Sequence, residues 1–370
     1  MTMQSTISET IGKIGKTWPG RALLCALCAV LLGMTVGSLD TAAAEKQMPD
    51  GTLFDAEYYA QQNPDVVAAF GNSEEMLYRH YVLAGKAEGR AATKASVTVT
   101  PNHSIGLKGV SNARELGGYV TTEGKNVKPG LLLRTGKLSG AKAEDIIRLQ
   151  TVYNLGAILD LRTLDEIVPY RDPSIPGALY YHLDILDNAT RTKQYDRYYA
   201  YMAEHPGASA GEMLGMLKTV GVVHDNMYVD YLTKEPGITG YRNMFRILLD
   251  TPDGHAVLFH CSSGKDRTGV AAMLILGTLG CSDEVILNDF LLTNSYSGRA
   301  KGFQDSLAAS GLNADDVGDM IVTMDGVNKK HMLNALQYIH ANYGTVTGYV
   351  KTVLGYSDAD IARLKSKYLQ

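Results

Sequence analysis

Residues 256–280 read AVLFHCSSGKDRTGVAAMLILGTLG. A four-residue apolar run, Ala256 to Phe259, leads into His260. A six-residue loop follows, Cys261 to Asp266, and from near Arg267 an apolar stretch continues without proline to Gly280. The first run has the length of a buried strand and the second that of a buried helix. A strand that passes within six residues into a helix with no polar face needs cover on both sides, which restricts the chain to a layered α/β architecture. Two more short apolar runs, Gly130 to Arg134 (GLLLR) and Ala157 to Leu161 (AILDL), read as strands of the same sheet. Helical spacing fits between them. Ala143 to Tyr153 is amphipathic through Ile146, Ile147 and Val152, and Tyr241 to Leu249 carries Tyr241, Met244, Phe245 and Leu248 on one face. The expected fold is a central, mostly parallel sheet flanked by helices. Its tail ends in a helix opened by a capping box at Ser357 and Asp360.

The loop also carries chemistry. Cys261 and Arg267 stand six apart, so the loop can curl until successive backbone N–H groups converge on one tetrahedral anion, with the positive end of the following helix behind them. Arg267 can close the ring with a planar fork that grips two oxygens. The same field favours the thiolate of Cys261, which would sit in line for attack on a bound phosphorus. Arg267 and the loop amides would hold the charge on the equatorial oxygens. Thr268 is placed to donate to the departing sulfur, and His260 to brace the loop from the strand end. With 45% apolar and 20% charged residues the composition excludes a disordered chain, and a net charge of only −4 gives no reason to expect a nucleic-acid partner.

The amino terminus reads differently. Ala22 to Val36 is uncharged, preceded by Lys13, Lys16 and Arg21 and followed by Thr41-Ala42-Ala43-Ala44. This is the pattern of a secretory leader over residues 1–44. The run falls short of the roughly 18–20 apolar residues that span a bilayer. Export is expected, to the periplasm, the cell surface or the medium, with no stable membrane span after processing. Cleavage would remove Trp18, Cys25 and Cys28, leaving Cys261 and Cys281. A bridge between those two is not expected, because a helix between them holds the thiols about 20 Å apart. Residues 45–100 read as a small helical module and linker. Phe54 to Ala92 forms two short helices broken at Asn63-Pro64, and Thr93 to Pro101 the linker. The module resembles a short repeat of exported bacterial proteins with the pattern YY…NPDV…HY…G…EGR. It serves surface attachment or is a passive spacer.

At the loop, HCSSGKDRTG resembles the bacterial cysteine-dependent tyrosine phosphatase family with the phosphate-binding loop HCxxGKDRTG. The resemblance extends over most of residues 104–369. It takes in NARELGGY (Asn112 to Tyr119), LRTGKL (Leu133 to Leu138), DLRT (Asp160 to Thr163) and the terminal YGTVTGYVKTVLGYSDADIARLKSKYL. Ala113 and Glu115 stand where the family usually has Phe and Asp. The resemblance implies hydrolysis of phosphotyrosine, and of phosphoinositides in many members, through a phosphocysteine intermediate on a domain spanning residues 101–370. Cys261 would be the nucleophile and Arg267 the phosphate binder, with Ser262, Ser263, Gly264, Lys265, Thr268 and Gly269 shaping the substrate site.

The resemblance offers Asp266 as general acid, whereas the wider superfamily takes its acid from a separate loop, which leaves Asp160, Asp184 and Asp187 as alternatives. Lys265 is either a second cation favouring polyphosphorylated substrates or a solvated surface residue. Residues 190–235 resemble the family's helical lid, or are plain packing. No HxH or HExxH pattern suggests a metal, and phosphoryl transfer through sulfur needs no cofactor. Three other readings share the loop: a phosphate-binding attachment protein without turnover, an inositol polyphosphate phosphatase, and a different thiolate reaction such as sulfur transfer or arsenate reduction, the last disfavoured by the lack of a second cysteine within reach.

Overall fold

The computed structural model describes residues 46–48, 53–85, 90, 92, 102–296, 312–323 and 326–370. The chain divides into two units, Met1–Val97 and Thr98–Gln370. The leader expected over residues 1–44 and the linker Thr93–Pro101 lie outside the described residues. No helix among the described residues is long and apolar enough to cross a membrane.

In the smaller unit two short strands, β1 (Lys46–Gln47) and β2 (Leu53–Phe54), pair antiparallel. Three helices follow, Ala56–Gln62, Pro64–Phe70 and Glu74–His80, where the sequence suggested two. The break at Asn63-Pro64 is present. A second break arises because Gly71, at φ 77°, ends one helix and Ser73 caps the next by accepting from the Met76 N–H. Phe54, Tyr59, Val66 and Leu77 form the core of the unit. Arg90 pins the helix break by donating to both carboxylate oxygens of Asp65 and to Asn63.

The larger unit is built on a five-stranded sheet. Its strands are β3 (Arg114–Glu115), β4 (Leu132–Thr135), β5 (Leu155–Asp160), β6 (Leu179–His182) and β7 (Ala256–His260), in the order β3-β4-β7-β5-β6. Only the β3–β4 pair is antiparallel. The chain therefore has the expected α/β fold, a mostly parallel sheet between helices. Every residue of β4 and β7 is buried, the polar Arg134, Thr135 and His260 at their carboxyl ends included. β6, which the sequence analysis missed, is an edge strand whose Leu179 and Tyr180 are exposed.

The Asp266–Leu279 helix is buried almost all round, with Val270, Met273, Leu274 and Leu276 in the main core. At about 1.5–3 kcal/mol for each large apolar side chain removed from water, it is a principal anchor of the domain. The Glu235–Asp250 helix covers the sheet through Tyr241, Met244, Phe245 and Leu248. It starts six residues earlier than the spacing suggested, because Pro236 and Gly237 open the helix instead of ending a loop. The final helix, Asp358–Tyr368, has the capping box at Ser357 and Asp360. Register aligns the carboxyl ends of four strands: Thr135 faces His260, His260 faces Asp160, and Asp160 faces His182. Ligands of open parallel sheets bind at that edge.

Candidate active site

The loop after β7 is shaped from outside by its carbonyls. The Ser262 carbonyl accepts from the Lys137 N–H at 3.1 Å. The Ser263 and Gly264 carbonyls accept from Asn112 Nδ2 at 3.3 and 2.7 Å, and Gly264 also from Arg134 Nη2 at 2.9 Å. His260 Nδ1 lies 3.3 Å from the Cys261 carbonyl. With the carbonyls held outward, the backbone N–H groups from Ser262 to Arg267 meet no acceptor among the described residues. Such a row of free amides ahead of a helix is an anion cradle. Gly264 takes φ 67°, and a Cβ there would stand 2.3 Å from the Thr135 carbonyl oxygen. Only glycine permits this curl.

Behind the loop lies a charge network that the sequence analysis did not identify. Asp289, in the Asp283–Tyr296 helix, accepts from Arg114 Nε at 3.1 Å and from Arg134 Nη1. Arg114 also donates to Asn112 Oδ1, completing a chain from Asp289 to the loop carbonyls. Both arginines are fully buried. Burial and the neighbouring Arg114 pull Arg134 down to about 10. Burial works against the Asp289 carboxylate, but the two guanidinium groups outweigh it and hold Asp289 below the usual range. Two cations against one anion leave positive charge beneath the cradle. Glu115, at one of the unusual family positions, is also buried and accepts from the Gly130 N–H at 2.6 Å.

In front of the loop is a cavity of about 170 Å³. Cys261, Ser262, Ser263, Lys265, Asp266 and Arg267 line it, so the expected loop residues are brought together there. Gly264, Thr268 and Gly269 shape the loop without lining the cavity. Thr268 is buried and its Oγ1 meets no partner among the described residues, while Gly269 lets the helix approach the Phe290 ring. Lys265 is not a solvated lysine: it is buried, and its Nζ donates to Asp266 Oδ2 at 2.7 Å and to the Val322 carbonyl at 2.6 Å. Asp266 also accepts from the Tyr228 hydroxyl at 2.6 Å. Burial pushes the Asp266 carboxyl up, but Lys265 and Tyr228 prevail and hold it below the ordinary value.

Glu166, which the sequence analysis passed over, also lines the cavity and grips Arg267 at 2.5 and 2.8 Å. Its capping-box spacing with Thr163 was visible in the sequence, its partner was not. The helices over residues 190–235 run Asn188–Glu204, Ala210–Thr219 and Met227–Thr233. They add Arg191, Tyr195, Met227 and Tyr231 to the cavity wall.

The other acids stand elsewhere. Both oxygens of Asp160 are held by Arg162, and one also by the Tyr180 hydroxyl. Asp187 is exposed and caps the Asn188–Glu204 helix. Asp184 accepts from the Leu186 N–H, and burial raises its pKa, but it does not line the cavity. Asp160, Asp172 and His260 cluster closely enough to suggest a metal site, but the Arg162 guanidinium already bonds both carboxylates at 2.6 Å. Cys261 and Cys281 are both free thiols, each buried.

A buried cysteine and an arginine stand at the two ends of an amide-rich loop, set at the carboxyl edge of a parallel sheet, and the loop forms a cradle for a tetrahedral anion. The chain belongs to the tyrosine phosphatase family, whose sequence pattern matches residues 105–370, and it is a phosphatase. It is similar to a candidate tyrosine-protein phosphatase of Cupriavidus necator, 28% identical over 288 residues that cover 74% of this chain and 92% of the relative. The triple specificity protein phosphatase PtpB of Mycobacterium tuberculosis is 24% identical over 279 residues, 71% of this chain and 98% of that one. A tyrosine-protein phosphatase of Nostoc commune is 31% identical over 129 residues, 34% of this chain and 42% of the relative.

Proposed function

We propose that the protein is an exported phosphatase that hydrolyses phosphotyrosine in proteins, and phosphoinositides, through a phosphocysteine at Cys261. The observation that carries this reading is the cradle itself, with its carbonyls bonded outward, its amides unclaimed, and Cys261 and Arg267 on the same cavity. The Cys261 sulfur attacks phosphorus, the S–P bond forms, and the P–O bond to the leaving group breaks. Water then attacks phosphorus, the S–P bond breaks, and inorganic phosphate leaves. Arg267 and the amides hold the equatorial oxygens in both steps. Of the four aspartates considered, Asp266 alone lines the cavity, and we assign it the proton transfers. It protonates the leaving oxygen in the first step and takes a proton from water in the second. Its depressed pKa suits the second role directly.

Tyr195, Tyr231 and Met227 offer an aryl ring apolar walls, and Arg191 adds positive charge for a second phosphate, the Lys265 charge being matched by Asp266. The helices over residues 190–235 act as a lid on the thiol, residues 1–44 direct export, and the 54–92 module attaches the enzyme at the cell surface. Cys261→Ser should abolish hydrolysis of p-nitrophenyl phosphate while phosphate still binds; full turnover in that variant would end the proposal.

A further inference from the structure

Arg267 is held by more than the anion it awaits. A guanidinium has five N–H donors, and three of those in Arg267 are already committed within the protein. Nη1 donates to Glu166 Oε2 at 2.5 Å and to the Leu161 carbonyl at 3.2 Å, and Nη2 donates to Glu166 Oε1 at 2.8 Å. What remains is the Nε–H and the second hydrogen of Nη2, which meet no acceptor among the described residues. In a planar guanidinium these two lie parallel along one edge, the edge that takes two oxygens of an oxyanion.

We propose that Glu166 is the positioning residue that turns this edge of Arg267 toward the phosphate of the substrate. The inference rests on the reading of Arg267 as the phosphate binder.

A rival use of the same carboxylate is a plug, an internal anion that sits in the cradle until substrate expels it. The bonds around Glu166 argue for a fixed part. Its Oε2 accepts from the Thr163 N–H and the Thr163 hydroxyl, both at 3.0 Å, closing the capping box of the Leu164–Ile167 turn. Its Oε1 accepts from the Ser262 hydroxyl at 2.8 Å. With Arg267, five donors saturate one carboxylate. A plug would break all of them at every turnover, whereas a brace keeps them. Glu166 thereby ties the segment after β5 to both arms of the loop after β7, at Ser262 beside the nucleophile and at Arg267.

The test is steady-state hydrolysis of p-nitrophenyl phosphate by the full chain, with vanadate inhibition measured in parallel. Glu166→Gln keeps the shape of the side chain and removes the bidentate grip. Its kcat/KM should fall about 100-fold, the scale of misplacing a group that meets the transition state, and its vanadate inhibition constant should rise. Arg267→Lys has no edge to select, so Glu166→Gln should cost almost nothing more in that background. A loss that persists there in full would show a merely structural role and overturn the proposal. Tighter vanadate binding in Glu166→Gln would overturn it in favour of the plug, and an unchanged kcat/KM would overturn it outright. Should Glu166→Gln fail to fold, Thr163→Val, which removes one donor to Oε2 and leaves Arg267 alone, should show a smaller loss in the same direction; no loss there overturns it. Wild-type protein without Cys261-dependent turnover would sink the functional reading instead.

Discussion

Asp289 is the sharpest test of how the loop after β7 is supported. It hydrogen-bonds none of the cavity residues, yet it is the single anion between Arg114 and Arg134. Asp289→Asn preserves volume and leaves two buried guanidinium groups facing each other without a counter-charge. Removing one partner from a buried ionic cluster costs about 3–5 kcal/mol. In a domain of this size that lowers the unfolding midpoint by on the order of 10 °C. The sign of the pH effect follows from the depressed pKa of Asp289. Its contribution is present above the unfolded carboxyl value of about 3.9 and is lost as pH falls through the lower folded value. The gap between wild type and Asp289→Asn should therefore be widest near neutrality and narrow below about pH 4. Circular dichroism melts and urea titrations across that range supply the numbers. Adding Arg134→Met should recover part of the stability by removing one stranded cation. It should not recover activity, because Arg134 also donates to the Gly264 carbonyl. An Asp289→Asn protein within about 1 kcal/mol of wild type at neutral pH would refute the reasoning.

Other outcomes follow from the same geometry. Gly264→Ala should lose nearly all turnover, because its Cβ would fall 2.3 Å from the Thr135 carbonyl oxygen; p-nitrophenyl phosphate kinetics within threefold of wild type would contradict the close approach. Asp266 is held in its ionised form, so phosphate esters with poor alkyl leaving groups should turn over faster as pH falls toward the Asp266 value, while the aryl ester responds less. Asp266→Asn should flatten that difference in kcat profiles. Arg267→Ala should lose turnover and vanadate affinity together, read from kcat and the inhibition constant.

The parts of the molecule legible in the sequence were those set by neighbours along the chain. The apolar runs of β4, β5 and β7 fell within two residues of their observed bounds, since a strand buried on both faces keeps its polar residues to its carboxyl end, as with Arg134, Thr135, Asp160 and His260. β6 was missed because an exposed edge strand reading LYYH shows neither a continuous apolar run nor a clean alternation. The loop residues could be gathered because six consecutive positions must converge. Glu166 could not, since its partner lies 101 residues away. Nor could Asp289, 175 residues from Arg114. Lys265 could be placed at the loop but not oriented, because the Val322 carbonyl that fixes it belongs to a helix 57 residues further on.

The outward bonds of the loop carbonyls have a consequence for how the enzyme matures. Asn112, which holds two of them, precedes the loop by 151 and 152 residues, whereas Asp289, which anchors the arginines behind it, follows it. A nascent chain that has made β7 and its helix already holds Asn112, Arg114 and Arg134 but still lacks the one anion that anchors the two arginines behind the loop. The loop would thus take its final curl only after the Asp283–Tyr296 helix has been made and packed against the arginines, so that its shape is the product of segments from both sides of it in the chain.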